Sequence, residues 1–140
     1  MPTVGDRFAV DTSFAVAALD AAHAAHEPCR AVLQDRRPSL AGHAAFETLS
    51  VLTRMPGQLA IDAPTAAALI RRVFPSVLVL VGEPGELIAR FGALGITGGA
   101  VYDGLVGEAA RTNESRLLTR DQRARRTYDL LGVDYELVGP

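Results

Sequence analysis

The chain has 140 residues, 49% hydrophobic and 21% charged, a profile typical of one soluble globular domain, which we expect to span residues 1–140. Its single cysteine, Cys29, excludes a disulfide framework and a cysteine-rich metal site. The net charge is −2 and all 14 basic residues are arginine, so only a local patch could attract nucleic acid, and mechanisms that need a lysine ammonium group are excluded.

Hydrophobic patterning predicts short strands that alternate with helices. In chain order it predicts a strand at 8–10, then a helical segment to Arg37 that is broken near Asp20 and at Pro28, and a strand at 39–41. Helices at 43–55 and 63–73, a strand at 77–81 and helices at 85–94 and 100–112 follow. The last predicted elements are a strand at 116–119, a helix at 122–131 and a strand at 135–138. Residues 77–81 are fully apolar, so we expect a buried strand there. The side chains expected to face inward from the helix over 85–94 are Leu87, Ile88, Phe91 and Leu94.

This alternation predicts an α/β domain with a mainly parallel sheet of four to five strands. Ligands of such folds lie beyond the carboxyl ends of the strands. Two aspartates occupy that position, Asp11 after the first strand and Asp121 after the strand at 116–119. Each could instead cap the helix that follows it, because a cap carboxylate accepts hydrogen bonds from unpaired amides, but capping does not exclude catalysis.

Two further acids lie within predicted apolar helices. Asp103 has poor helix propensity and follows the pair Gly98-Gly99 closely, so we expect a metal ion, or water on an exposed face, to compensate for it. Glu47 has no obvious partner among its neighbours, although glutamate is a good helix former and favours the first turn.

The four carboxylates together predict a metal site. Four negative charges gathered by one fold repel each other strongly without a counterion. Mg²⁺ or Mn²⁺ is the natural partner, because hard cations prefer carboxylate oxygen and water. Such a site can activate water for attack on a phosphodiester, and two ions about 3.5–4 Å apart could also stabilise the leaving oxygen.

Four segments of the chain resemble, in order, the motifs of the PIN domain, and more narrowly VapC-type toxins of bacterial toxin–antitoxin pairs. These segments are Val10-Asp11-Thr12-Ser13, the helix that carries Glu47, Gly98-Gly99-Ala100-Val101-Tyr102-Asp103 and Leu117-Leu118-Thr119-Arg120-Asp121. The resemblance covers essentially the whole chain and implies a three-layer α/β/α fold. It also implies a cytoplasmic endoribonuclease that depends on Mg²⁺ or Mn²⁺, is usually dimeric and is silenced by a VapB-like antitoxin.

The resemblance assigns roles to individual residues. The acidic quartet of the family corresponds to Asp11, Glu47, Asp103 and Asp121, and its hydroxyl positions correspond to Ser13 and Thr119. We expect Asp11 and Asp103 to be direct metal ligands, and Asp121 and Glu47 to bind or orient water. Many relatives have another Asp or Asn shortly after the fourth acid; here Gln122 and Arg123 follow, which predicts weaker metal binding on that side.

The arginines fit an RNA substrate. Arg120, Arg123, Arg125 and Arg126 cluster around Asp121, and guanidinium groups bind phosphate bidentately. The alternative is a solvated helix face, which arginine runs often form. The few aromatic residues have core-like spacing, so we expect recognition of shape and phosphate rather than base stacking. We also expect a segment of the antitoxin to dock as a helix in an apolar groove.

Other readings are weaker. His23, His26 and Cys29 have a spacing that suggests zinc, but a fourth ligand is missing. A haloacid-dehalogenase-like phosphatase would need a second acid where Ser13 stands, and both that family and phosphoacceptor receiver domains use a lysine. The non-enzymatic alternative is a PIN-like scaffold that only binds protein or RNA.

Overall fold

The structure, a computed structural model that describes residues 7–56 and 61–139, is built around a five-stranded parallel sheet with the order β3-β2-β1-β4-β5. The strands are β1 (Phe8–Val10), β2 (Ser39–Ala41), β3 (Val77–Leu78), β4 (Arg116–Thr119) and β5 (Tyr135–Leu137). The helices are α1 (Thr12–Leu19), α2 (His26–Arg36), α3 (Ala44–Thr53), α4 (Ala63–Val73), α5 (Pro84–Leu94), α6 (Ala100–Thr112) and α7 (Arg125–Leu131), and a 3₁₀ turn (Gln122–Ala124) precedes α7. The predicted three-layer α/β/α fold with a parallel sheet is confirmed.

Strand β1 is the central strand of the sheet, and the chain after it leads into the region where the sequence predicts the site. It pairs in parallel with both β2 and β4, and Val10 lies opposite Leu40 and Leu118. All three side chains are fully buried, as expected for strands covered by helices on both faces. Because β1 and β4 are adjacent and parallel, the residues that follow them, Asp11 and Asp121, leave the sheet at the same edge.

Helices α5 and α6 are joined by an ion-pair cluster whose carboxylate is buried and whose two arginines are partly exposed. Glu108 of α6 is almost fully buried and accepts hydrogen bonds from Arg90 of α5 and from Arg111, whose Nη2 lies 2.8 Å from Glu108 Oε2. Burial alone would raise the pKa of the Glu108 carboxyl, but the hydrogen bonds and charges of the two arginines outweigh burial and leave this pKa below its ordinary value. The cluster therefore stabilises the contact between the two helices while the carboxylate is ionised.

The prediction of a buried strand over residues 77–81 is wrong in both length and burial. The strand ends at Leu78, and Val77, Val79 and Val81 are exposed. The reason is position, because β3 is an edge strand whose pairing partner in the sheet is β2. Beyond Leu78 the chain is held by α6 instead, since Asn113 Nδ2 donates to the Val79 carbonyl oxygen at 2.9 Å.

Two predictions about helices also need correction. Pro28 does not break a helix, because it lies in the first turn of α2, where a missing N–H removes no helical hydrogen bond. Ile88 was expected to face inward but is exposed, whereas Phe91 of the same helix is buried. The inward stripe of α5 is formed by Leu87, Phe91 and Leu94, and Ile88 lies about 100° around the helix from Leu87.

In the part of the chain that the structure describes, no helix is both long and apolar enough to cross a membrane.

Candidate active site

The four predicted acids come together in one cavity. Asp11 directly follows β1 and Asp121 lies two residues after the end of the neighbouring strand β4, while Glu47 and Asp103 lie in the first turns of α3 and α6. All four line a cavity of about 450 Å³. The structure thus brings residues separated by more than a hundred positions in sequence to a single region beyond the carboxyl ends of the strands, where α/β folds bind ligands.

Asp11 is the most rigidly held of these acids. One carboxylate oxygen, Oδ1, accepts hydrogen bonds from the Ser13 hydroxyl at 2.6 Å and from the Phe14 amide at 3.1 Å, so the residue caps α1 as expected. The other, Oδ2, accepts a hydrogen bond from the Tyr128 hydroxyl at 2.9 Å. Burial raises the pKa of Asp11 even though these hydrogen bonds act in the opposite direction. A nearby cation would offset this cost of burying the charge.

The hydroxyl residues Ser13 and Thr119 connect the ends of the two strands. Ser13 Oγ accepts a hydrogen bond from the Arg120 amide at 2.9 Å and lies 3.4 Å from Thr119 Oγ1. Thr119 Oγ1 in turn accepts from the Asp121 amide at 3.0 Å. The two hydroxyls therefore fix the position of Asp121 relative to Asp11, and Ser13 also lines the cavity.

Asp121 also caps the 3₁₀ turn, as the capping interpretation predicts. Its Oδ1 accepts a hydrogen bond from the Arg123 amide at 2.9 Å, and Nε of the Arg123 side chain lies 3.8 Å from the same oxygen. Capping occupies this oxygen of the carboxylate but leaves the residue on the wall of the cavity. The cap and a role in the cavity are therefore compatible.

Asp103 carries the clearest electrostatic signature of the site. Its pKa is raised from 3.8 to about 6, first by burial and then by the charges of Asp121, Glu47 and Asp11, while Arg123 opposes the increase. The first of these causes is desolvation, and the next three show that the four acids influence each other at close range. Like charges that are held together in this way favour a cation between them.

Tyr128 was not identified from the sequence as a site residue. It lies in α7, is almost fully buried, and donates its hydroxyl proton to Asp11. Burial, followed by the charge of Asp11, raises the pKa of this hydroxyl, so it stays a donor at every physiological pH. Its spacing in the sequence is that of a core residue. The chemistry of the side chain could have indicated its role, because a buried tyrosine hydroxyl needs a hydrogen-bond partner.

Two arginines contribute to the wall of the cavity. Arg123, which was expected to bind RNA, lines it together with Arg54, which was not identified from the sequence. Arg54 directly follows α3, and Glu47, Val51 and Arg54 are separated by four and three positions. This spacing places them on one helix face and could have indicated the arginine.

The other expected RNA-binding arginines are placed differently. Arg120 donates its amide proton to Ser13, and its guanidinium group lies close to Gly139. Nε of Arg125 lies 3.4 Å from the Tyr135 hydroxyl, and Arg126 is exposed on α7. These three residues lie outside the cavity lining that Arg123 and the acids share.

The histidines near Cys29 make local contacts with the backbone. His23 Nδ1 accepts a hydrogen bond from the Ala25 amide at 3.0 Å, and His26 Nδ1 lies 3.0 Å from the Ala17 carbonyl oxygen. Cys29 is fully buried in α2. The contacts of the two histidines account for them as parts of the region where α1 leads into α2.

The donor chemistry of the acidic cavity fits a hard divalent cation. Across residues 7–56 and 61–139, no three His, Cys, Asp or Glu side chains are close enough together to ligate one ion jointly. Mg²⁺, however, usually binds through one or two carboxylates and keeps several waters. Four carboxylates around a cavity of about 450 Å³ match that mode of binding.

Comparison with known proteins defines the class of this chain. Residues 8–130 match the family model of the PIN domain, and the chain therefore belongs to the PIN-domain family, as its motifs indicate. Its relatives are VapC proteins. It is 44% identical to "Ribonuclease VapC27" of Mycobacterium tuberculosis (strain ATCC 25618 / H37Rv) over 126 residues, which cover 89% of this chain and 92% of the relative.

A second relative extends the match. The chain is 39% identical to "Ribonuclease VapC40" of Mycobacterium tuberculosis (strain CDC 1551 / Oshkosh) over 132 residues, which cover 93% of this chain and 98% of the relative. The same values apply to the VapC40 of strain ATCC 25618 / H37Rv. The match over almost the full length of each relative identifies this chain as a VapC-type PIN-domain protein.

Proposed function

We propose that this chain is an endoribonuclease toxin that hydrolyses RNA phosphodiester bonds with Mg²⁺ or Mn²⁺ bound in the cavity that Asp11, Glu47, Asp103 and Asp121 line. The observation that carries the proposal is the convergence of these four acids in one cavity, where three of them raise the pKa of the fourth. The names of the relatives, which are ribonucleases, support RNA as the substrate.

Each residue has a distinct part in this mechanism. A bound divalent ion would supply Lewis-acid polarisation of water and of the phosphate oxygens. Asp11 is held by Ser13 and Tyr128, so its carboxylate presents a fixed oxygen to the cavity. We assign Asp11 and Asp103 to direct ligation, and Glu47 and Asp121 to holding water.

The cavity also offers groups for the phosphate. Arg54 and Arg123 stand on its wall, and a guanidinium group can donate two parallel hydrogen bonds to one phosphate. They would bind the RNA backbone and offset its charge as it approaches the acids. Hydrolysis then requires water to add to phosphorus while the P–O bond to the leaving nucleotide breaks and that oxygen takes up a proton.

We propose a VapB-like antitoxin as the partner, with a dimeric toxin in the cytoplasm. The support for the antitoxin is the VapC name of the relatives together with several exposed apolar side chains. Val79 and Val81 beyond β3 and Ile88 of α5 are all exposed. Such side chains are the kind that a helical antitoxin segment would cover.

The experiment that tests the proposal is RNA cleavage by antitoxin-free protein. A panel of tRNA, rRNA and synthetic RNA is incubated with Mg²⁺, Mn²⁺ or EDTA, in parallel with the variants Asp11→Asn and Asp103→Asn. We expect metal-dependent cutting that both substitutions abolish. If the protein neither cuts RNA nor binds Mn²⁺, the enzyme proposal fails and the binding scaffold becomes the better interpretation.

A further inference from the structure

Three aromatic side chains form a surface cluster where α3 and α6 begin. Phe46 is 71% exposed and Tyr102 is 51% exposed, contrary to the expectation that the aromatic residues are in the core. His43 connects them. Its ring stacks on Tyr102 with 5.2 Å between the ring centroids and 19° between the planes, and lies 6.5 Å from the Phe46 ring.

Two residues of the cluster are direct neighbours in the chain of acids that line the cavity. Phe46 directly precedes Glu47 in the first turn of α3, and Tyr102 directly precedes Asp103 in the first turn of α6. Both helices therefore carry, in their first turn, an aromatic residue followed by an acid. Glu47 and Asp103 line the wall of the cavity, and since successive helical residues point about 100° apart, each aromatic side chain leaves its helix next to an acid of that wall.

A close backbone approach keeps the two helix starts together. Gly42, just before His43, has a φ of +50°, and a Cβ atom at this position would lie 2.9 Å from Cβ of Ala109 in α6. Only glycine combines this backbone angle with such a short distance. The turn between β2 and α3 can therefore rest directly on α6, which brings His43 against Tyr102.

We propose that His43, Phe46 and Tyr102 form a stacking subsite for an unpaired nucleobase of the RNA substrate, next to the phosphate that is cut. This inference rests on the proposed ribonuclease function and adds the class of substrate to it. Proteins recognise single-stranded RNA by stacking splayed-out bases on Phe, Tyr and His rings. In an A-form duplex the bases are stacked on each other, so the subsite selects loops and single strands.

The arrangement of charges favours a base over another protein as the occupant. Arg54 and Arg123 on the cavity wall supply cations for the backbone of the same strand. The aromatic rings supply a planar surface that tolerates every base, because each base has a π-face. A nucleotide carries a phosphate and a base within one residue. The arginines of the cavity wall can bind the phosphate, and the aromatic cluster can bind the base.

The test begins with an RNA that the wild-type protein cuts. Each nucleotide flanking the cut is replaced in turn by 2-aminopurine, whose fluorescence falls when it stacks, and binding to the Asp11→Asn variant is followed. We expect quenching at one unpaired position. Adding Tyr102→Leu or Phe46→Leu to that variant should abolish the quenching, whereas adding Tyr102→Phe, which keeps an aromatic ring, should preserve it.

Cleavage kinetics measure how much the stacking subsite contributes to the reaction. We expect Tyr102→Leu and Phe46→Leu in the otherwise wild-type protein each to lower kcat/KM for unpaired RNA about 5- to 100-fold, the range that corresponds to one lost base stack. An abasic nucleotide at the quenched position should cause a similar loss in the wild type and little further loss in Tyr102→Leu. Mn²⁺ affinity and the unfolding midpoint should not change, and the control Val77→Ala, at an exposed apolar side chain of the edge strand β3, should cut like the wild type.

Several results would overturn the inference. Equal cutting of paired and unpaired RNA, or unchanged kinetics in both leucine variants, would show that no base stacks on the cluster. If Tyr102→Leu converts a dimer to a monomer in sedimentation, the cluster is an interface between copies of the chain. If the wild type cuts no RNA and binds no Mn²⁺, the proposed function itself fails, and this result is distinct from a loss confined to the aromatic variants.

Discussion

Replacement of Asp103 by asparagine should stabilise the metal-free protein, although it removes a charged residue from the middle of the candidate site. The pKa of Asp103 is raised from 3.8 to about 6 by burial and by neighbouring carboxylates. A difference of this size corresponds to about 3 kcal/mol of unfavourable free energy when the group is ionised. Since the side chain is only half-buried, solvent screening reduces this to about 1–2 kcal/mol.

The pH dependence follows from the direction of the shift. Because the folded protein binds a proton more tightly than the unfolded chain, ionisation of Asp103 costs folding free energy above pH 6 and progressively less as the pH falls from about 6 towards 3.8. In EDTA at pH 7.5, we therefore expect Asp103→Asn to raise Tm by about 3–8 °C. The advantage should shrink as the pH falls below 6.

Differential scanning fluorimetry across pH measures this effect, and a second series in Mg²⁺ or Mn²⁺ extends it. The ion should raise Tm of the wild type and close the gap to the variant, because only the wild type keeps the full carboxylate set. Asp62→Asn, at an exposed position before α4, is the matched control. A lower Tm for Asp103→Asn in EDTA at pH 7.5 would refute the electrostatic reasoning and indicate a structural role.

Other predictions concern the parts that surround the site. Tyr128→Phe removes the hydrogen bond to Asp11 and should lower the free energy of unfolding by about 1.5–3 kcal/mol in urea titration; an unchanged midpoint would contradict this. Glu108→Gln should destabilise at neutral pH, but the difference from wild type should vanish in acid, because the stability from a lowered pKa is present above 4.5 and is lost as the pH falls through the folded-state value. Gly104→Ala places a Cβ 2.7 Å from Cζ of Phe91 and should cost about 1–3 kcal/mol by calorimetry.

The fold could be predicted from the sequence because its signals are local. Apolar runs bounded by glycine, proline and aspartate place β1, β2, β4 and β5 correctly. The run at 77–81 misleads because periodicity reports apolar character and carries no information on position in the sheet. Whether a strand is central or at an edge depends on pairing with distant residues, as β3 shows by pairing with β2.

The candidate site could be predicted only in part. The four acids stand out because a carboxylate after a strand or inside an apolar helix is chemically unusual. Tyr128 and Arg54 do not stand out, since the first has the spacing of a core residue and the second lies beyond the end of a helix. Their relevance comes from contacts across the fold, namely the bond of Tyr128 to Asp11 and the place of Arg54 on the cavity wall.

The order of strands in the sheet has a consequence for the synthesis of this protein on the ribosome. β1 is made first, yet it lies between β2 and β4, and β4 together with Asp121 is made more than a hundred residues later. A nascent chain that has not yet released residues 116–121 lacks both the strand that positions Asp11 and the fourth acid of the cavity. The acidic site is therefore assembled late in translation, and chains that terminate before Asp121 do not contain it.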